Sequence, residues 1–294
     1  MHLIDLISDS LVIIICEAEV KDFSLAALYS AEEIMEITGA RLAAGLMRDE
    51  AAEVHTDTRT LPEGAWFIAL PGKTYDGHDF LGDAFSEGAI GCIVGERAGY
   101  AIASTSFPLL AVVDPLEALA QLARDWRRRV GPKIIAVMVN RSEERCPAGK
   151  FCYDDLQTKH RTEYWRVAIE STGAVLNAVL NMNNSTEVVV VEISPTSPEH
   201  IRISLSALEP NVLVIAKDGF DHFRMSSSQQ EFNEGLRDSF AELDQDTCTL
   251  VIATTGQDVL IRSDDFDGKK LCFNEENDSG DADIWAGRIA CKLI

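Results

Sequence analysis

The run VVVVEI, Val188–Ile193, decides the fold class. A strand with one wet face alternates apolar and polar residues; four consecutive valines do not. Such a run fits a strand buried on both faces, the situation of a central strand in a parallel sheet. Valine's branched Cβ adds a preference for the extended backbone. Parallel neighbours need long crossovers, usually helices, so helical segments are expected on either side.

Working outward, those segments are present. IRISLSALE (201–209) reads as a helix and NVLVIAKD (211–218) as a strand, followed by a helical QQEFNEGLRDSFAEL (229–243). TLVIATT, DVLIRS and KKLCF are short apolar runs that lead into an acidic turn, NEENDSGDAD (274–283), and one more short apolar run closes the sequence. Upstream, KIIAVMVN (133–140) reads as a strand, then an irregular polar stretch, then a helix over YWRVAIESTGAVLNAVLNM (164–182). Alternating strands and helices imply an α/β sheet with mostly parallel pairing.

Gly131-Pro132 interrupts the chain just before that unit. Ahead of it lies a second α/β alternation. AEEIMEITGARLA (31–43) has helical spacing, with Ile34, Ile37 and Leu42 on one side and Gly39 as the stop. A polar turn leads into a strand at 66–70 that leaves through Pro71-Gly72. HDFLGDAFSEG is helical, AIGCIVGE and LLAVVD are strands, and PLEALAQLARDWRRRV is a helix. The arginines at 127–129 suit the negative end of that helix's dipole. The expected division is an extension at 1–22, a smaller α/β domain at 23–130 and a larger one at 131–294. The extension is a single β-type run without a motif.

A length of 294 residues suits two such domains. The net charge of −22 opposes nucleic acid or an anionic membrane as the main partner. Residues 11–16 form an apolar run too short for membrane insertion and, following Asp5 and Asp9, too acidic in its lead for a signal peptide. Seven cysteines at irregular spacing are no disulfide framework, and Cys92 and Cys272 read as small buried hydrophobes. A reducing, cytoplasmic setting is expected. Cys146 and Cys152, with five residues between them and His160 alone nearby, fall short of a zinc signature.

Chemistry-bearing residues gather in a few places. Asp57-Thr58-Arg59, then Leu61-Pro62-Glu63-Gly64, Phe67-Ile68-Ala69-Leu70, Gly72 and Asp76-Gly77-His78-Asp79-Phe80 make a dense, ordered set. A turn of Asp, Thr and Arg offers donors, acceptors and a guanidinium fork suited to phosphate; it could equally just cap the strand entry. Glu192 ends the valine run, and a buried carboxylate there needs a metal, a helix end or an ion pair. His222 follows the strand at 211–218, where a satisfied loop histidine is the plainer alternative.

The set DTR…PG…FxAL…G…DGHDF resembles the N-terminal domain of the Mur ligases of peptidoglycan synthesis, most of all their D-Ala-D-Ala-adding branch. The resemblance runs through residues 30–283. It implies a small α/β substrate domain followed by a P-loop-NTPase-like central domain with a mostly parallel sheet. It implies that Asp57, Thr58, Arg59, Asp76, Gly77 and His78 hold the UDP end of a UDP-MurNAc-peptide. It further implies Glu192 and His222 as residues at the metal, with Mg²⁺ and ATP as cofactors. A carboxylate is the hard oxygen donor Mg²⁺ prefers.

The sequence also departs from the family. A phosphate loop TGxxGKT should follow the strand KIIAVMVN; instead RSEERCPAGKFCYDD keeps only Gly149 and Lys150. Phe151 stands where a metal-binding hydroxyl belongs, and Glu143 and Glu144 repel triphosphate, while Arg141 and Arg145 read as part of a solvated loop. Together these should weaken ATP binding by several kcal/mol. Ile169 and Glu170 stand where the family has paired asparagines, Leu236 where it has a bridging lysine, and the C-terminal ligase domain is expected to be absent. The sequence therefore predicts a degenerate relative that keeps UDP-sugar-peptide binding. The alternatives are an ATP-dependent amide ligase completed by a partner chain carrying the third domain, and a non-enzymatic scaffold.

Overall fold

A computed structural model describes residues 27–72, 75–96, 107–139, 147–167, 172–194, 197–216, 237–253, 266–273 and 281–294; the run at 1–22 lies outside them. Its large sheet has the order β11-β10-β9-β6-β8-β7, and every described pair is parallel. The strands are β6 (Lys133–Met138), β7 (Thr162–Arg166), β8 (Val188–Ile193), β9 (Val212–Ile215), β10 (Thr249–Ile252) and β11 (Lys269–Cys272). The valine strand β8 lies inside, between β6 and β7, and all six of its residues are buried.

Period-two geometry sorts its side chains. Val189, Val191 and Ile193 enter a core with Ile134, Ala136 and Leu213, while Val188 and Val190 face the other way with Ile135, Val137 and Val212. The first face is covered by α5 (Thr172–Leu180) and α6 (Pro198–Leu208), and the second by α4 (Pro147–Leu156) and α7 (Ala282–Leu293). Glu192 shares the even-numbered side of β8 with Val188 and Val190, the side of α4 and α7.

The small sheet has the order β1-β5-β4-β3-β2: β1 (Arg41–Ala44), β2 (Val54–His55), β3 (Trp66–Ile68), β4 (Gly91–Gly95) and β5 (Leu109–Val112). Only β1 runs antiparallel to its neighbour. Trp66, Ile68, Ile93 and Leu110 join the first core of the large sheet. Phe67, Cys92 and Val94 pack on α2 (Leu81–Ser86) through Leu81 and Ala84.

The long helix α3 (Pro115–Val130) links the layers: Leu119 and Leu122 lie in the core that both sheets feed. Its start follows from Asp114, whose carboxylate accepts from the Leu116 and Glu117 amides at 2.8 and 3.2 Å, with Pro115 in the first turn. Gly131, at φ 71°, ends it in the left-handed conformation. The arginine run does more than answer a dipole. Arg127 donates to the Leu208 and Glu209 carbonyls at 2.9 and 2.8 Å, satisfying groups orphaned at the end of α6. Arg128 pairs with the Glu209 carboxylate, and Arg129 reaches Asp125 at 2.6 Å and Glu33 at 3.0 Å.

Several expected elements differ. Helix α1 (Ala31–Thr38) carries a Ser30/Glu33 capping box and stops at Gly39, so Leu42 lies in β1 and not on the helix. The helix expected over 164–182 divides: Tyr164–Arg166 belong to β7, and only Thr172–Leu180 is helical. Cover on both faces of β7, with the adjacent Tyr164 and Trp165 buried in opposite cores, outweighs the helical spacing. The polar stretch after β6 includes helix α4, and the closing run is helix α7, capped by Asp281. Cys272 is exposed on the edge strand β11, while Cys92 is buried as expected.

Candidate functional site

Parallel strands carry their loops to a common C-terminal edge, and open sheets collect ligand groups there. In the small sheet the edge is built by the segments after β2, β3 and β4. Asp57 follows β2 and caps a 3₁₀ turn, Thr58–Thr60. Its Oδ1 accepts from the Arg59 amide at 3.0 Å and from Arg59 Nε at 2.9 Å, while Oδ2 accepts from Nη2 at 2.6 Å. The Arg59 guanidinium, chiefly through these hydrogen bonds, holds the Asp57 carboxyl below its usual range. Just before it, Thr56 Oγ1 accepts from Asn177 Nδ2 of α5 at 2.9 Å, fastening the turn to the large sheet's helical layer.

After β3, Asp76 caps a second 3₁₀ turn, Gly77–Phe80. Its Oδ1 lies 3.0 Å from the His78 amide and 2.6 Å from His78 Nδ1. The Gly95 amide, at the end of β4, donates to His78 Nε2 at 3.0 Å. Nε2 therefore acts as acceptor, which puts the ring proton on Nδ1, facing Asp76. The hydrogen bond from the His78 amide is the main cause holding Asp76 below its usual range. Gly77 is required: a Cβ there would lie 2.7 Å from Leu70 N and 2.8 Å from Leu70 O. All six residues expected at the UDP end thus sit on two capped turns at one sheet edge, and His78 ties the second turn to β4.

The large sheet's edge is built differently. Glu192, the last residue but one of β8, is 4% exposed. Tyr164 Oη donates to its Oε1, and Arg166 Nε donates to Oε2 at 3.3 Å, both from the neighbouring strand β7. Tyr153 of α4 stacks on Tyr164 with centroids 5.3 Å apart. Gly149, in the first turn of α4, lets the carboxylate come close, since a Cβ there would stand 2.3 Å from Glu192 Oε1. Lys150 pairs with Asp154 one turn along. Phe151 packs toward α7, under the Arg288 guanidinium at 5.8 Å and close to Gly287.

Sequence reasoning missed Tyr164 and Arg166. The signal was their place two and four residues into a β-type TEYWR run, obscured by reading that run as helix. His222, Leu236, Ile169, Glu170, Glu143, Glu144, Arg141, Arg145 and Cys146 lie outside the described residues.

Gly149, Lys150, Phe151 and Glu192, the described residues of this edge, are a poor fit to Mg²⁺ and a triphosphate. Both oxygens of Glu192 already accept from protein donors, so a metal would compete with Tyr164 and Arg166 for the carboxylate. The helix turn that should cradle phosphate lies against that carboxylate, and a negative charge there opposes another. Phe151 offers no ligand.

Comparison with known proteins agrees with the fold. The family model described as "Mur ligase family, catalytic domain" matches residues 50–127. UDP-N-acetylmuramoyl-tripeptide–D-alanyl-D-alanine ligase of Bacillus subtilis is 26% identical over 206 residues, 68% of this chain and 43% of that protein. Among solved structures, MurF from Acinetobacter baumannii superposes with a TM-score of 0.66 at 15% identity, over 85% of this chain and 54% of that one. MurF ligase from Thermotoga maritima in complex with ADP gives 0.61 at 19% identity, over 77% and 51%. The chain therefore spans about half the length of the relatives it matches. No helix among the described residues is long and apolar enough to cross a membrane.

Proposed function

Since this chain is related to the Mur ligases, we propose that it is a Mur-ligase-like protein that holds a UDP-sugar-peptide and does not carry out ATP-dependent ligation by itself. In this reading residues 23–130 form the substrate domain and 131–294 the ATPase-like domain. The observation that carries it is the contrast at Glu192. The carboxylate the family would give to a metal is buried and bound at both oxygens, while the Asp57 and Asp76 turns stand open at the other sheet edge. There the exposed Arg59 guanidinium is the group to meet a diphosphate, and the exposed Asp57 and Asp76 carboxylates offer acceptors to a ribose hydroxyl.

The test is calorimetric titration of the purified chain with UDP, with UDP-MurNAc-tripeptide, and separately with ATP and Mg²⁺. Binding of the UDP ligands, weakened by Arg59→Ala, together with silence toward ATP is the expected result. Silence toward both UDP ligands would overturn substrate holding. ATP binding that Lys150→Ala weakens would restore the reading of a ligase completed by a partner chain.

A further inference from the structure

Helices α4 and α7 cross where Gly287 meets Ala148: a Cβ on Gly287 would stand 2.9 Å from Ala148 O and 3.3 Å from Ala148 Cα. Glycine at the crossing draws the two backbones together. One turn beyond it on each helix comes a cysteine, Cys152 on α4 and Cys291 on α7. The equal offset of four residues from Ala148 and from Gly287 stacks the two cysteines over the same crossing. The side-chain geometry agrees. Cys152 Sγ donates to the Gly287 carbonyl at 3.5 Å, the carbonyl one turn before Cys291, and Cys152 is also a hydrogen-bond partner of the Cys291 sulfur.

We propose that Cys152 and Cys291 are a redox-active pair that closes into a disulfide joining α4 to α7. A disulfide demands a short Cα separation, and the close approach of the two helices at Gly287 and Ala148 favours it. The division of labour follows from burial. Cys291 is partly exposed and Cys152 fully buried, so a hydroperoxide meets Cys291 first. When Cys291 ionises, the single Cys152 S–H turns from the Gly287 carbonyl to the Cys291 sulfur, and that hydrogen bond holds the Cys291 thiol below the usual range against the opposing effect of burial. Burial pushes Cys92 and Cys248 up to about 12, and at Cys248 it outweighs a hydrogen bond with the Leu213 backbone. The Cys291 thiolate attacks the peroxide, taking one oxygen as sulfenic acid while the other leaves as water after protonation. Cys152 sulfur then attacks the Cys291 sulfur, the S–O bond breaks, and the hydroxyl leaves with the Cys152 proton as a second water. Two thiols are oxidised by two electrons and one peroxide is reduced. The bond fastens α7 to the helix that bears Gly149 and Lys150.

The experiment treats the reduced full chain with hydrogen peroxide, blocks remaining thiols with iodoacetamide, and maps non-reduced peptides by mass spectrometry. A linked peptide pair containing Cys152 and Cys291, two hydrogens lighter than the sum and split by dithiothreitol, is expected. In the reduced protein Cys291 should alkylate at least about tenfold faster than Cys92 or Cys248. Oxidised wild type should also melt at higher temperature than reduced, a gain that Cys291→Ser removes. Cys152 and Cys291 both still alkylated after peroxide would overturn the proposal. So would a linkage of either to another cysteine, or a disulfide-bonded dimer on a non-reducing gel. The mapping needs no variant, so a poorly folding Cys291→Ser leaves the test intact.

Discussion

The two sheets present the same feature, a C-terminal edge of parallel strands, and finish it in opposite ways. The small sheet leaves its polar groups in water: the Asp57, Arg59 and Asp76 side chains are 34, 59 and 51% exposed. The large sheet turns the Glu192 carboxylate inward, its side chain 5% exposed beneath Tyr164 and Arg166. An edge whose hydrogen bonds join neighbouring loop residues can exchange them for a ligand's at small cost. An edge whose carboxylate is bound from the next strand cannot release it without leaving buried groups unpaired. The first arrangement suits recognition, and the second suits a structural joint.

That contrast is broken most directly at Glu192. Glu192→Ala strands Tyr164 Oη and the Arg166 guanidinium at once, and a loss of about 3–4 kcal/mol is expected, read by urea unfolding. Glu192→Gln, which keeps the shape and one acceptor, should lose less. A change below about 1 kcal/mol for Glu192→Ala would mean that this edge is no joint and is open to ligand after all.

Acid should find the large sheet's layer first. His200 on α6 is buried, and burial lowers its pKa from the ordinary 6.5 to about 4. Between those values the unfolded chain binds a proton that the folded chain refuses, so stability present above pH 6.5 drains away as pH falls toward 4, up to about 3 kcal/mol. Asp57 and Asp76 are shifted downward, so what they contribute persists through this window and is lost only below the usual carboxylate range. Unfolding followed from pH 7.5 to 4.5 should show the decline, and His200→Leu should flatten it.

Gly149→Ala tests the close approach itself. The added Cβ meets Glu192 Oε1 at 2.3 Å, so about 2 kcal/mol of destabilisation is expected despite alanine's better helix propensity. In a Glu192→Ala background the obstacle is gone and the same change should be neutral or slightly stabilising. Additive effects in that double-mutant cycle would disprove the contact.

How much of this was legible beforehand depends on the range of the interactions. The valine run announced a doubly buried parallel strand because its signal lies in six adjacent residues, and Asp114, Pro115 and Gly131 fixed α3 through capping chemistry that is equally local. The Asp57 and Asp76 turns were visible for the same reason, each closing within two residues. What stayed hidden depends on pairing across the chain. Tyr164 and Arg166 look helical until β8 is placed beside them, 28 and 26 residues away from Glu192 in sequence. Phe151 read simply as a lost hydroxyl, whereas it packs toward α7, an element 131 residues and more downstream that was itself read only as a short apolar run. Glu192 stood out as chemically unusual, but whether a metal or an ion pair answers it is decided by a strand whose register no local pattern specifies.

The smallest expected change in stability belongs to Arg59, and it sharpens the comparison most. Among the described residues its guanidinium is held by Asp57, on a side chain 59% exposed, so the pair is a surface ion pair. Arg59→Ala should therefore shift unfolding by no more than about 0.5 kcal/mol. If this edge receives a diphosphate, the same substitution removes a charge-assisted contact from the bound state, and affinity for UDP should fall roughly tenfold. Arg59→Lys keeps the charge but loses the fork, and should recover only part of the affinity. A residue that matters to ligand and hardly at all to folding is the converse of Glu192. An Arg59→Ala variant that lost stability and left UDP binding unchanged would make both edges structural joints and dissolve the distinction.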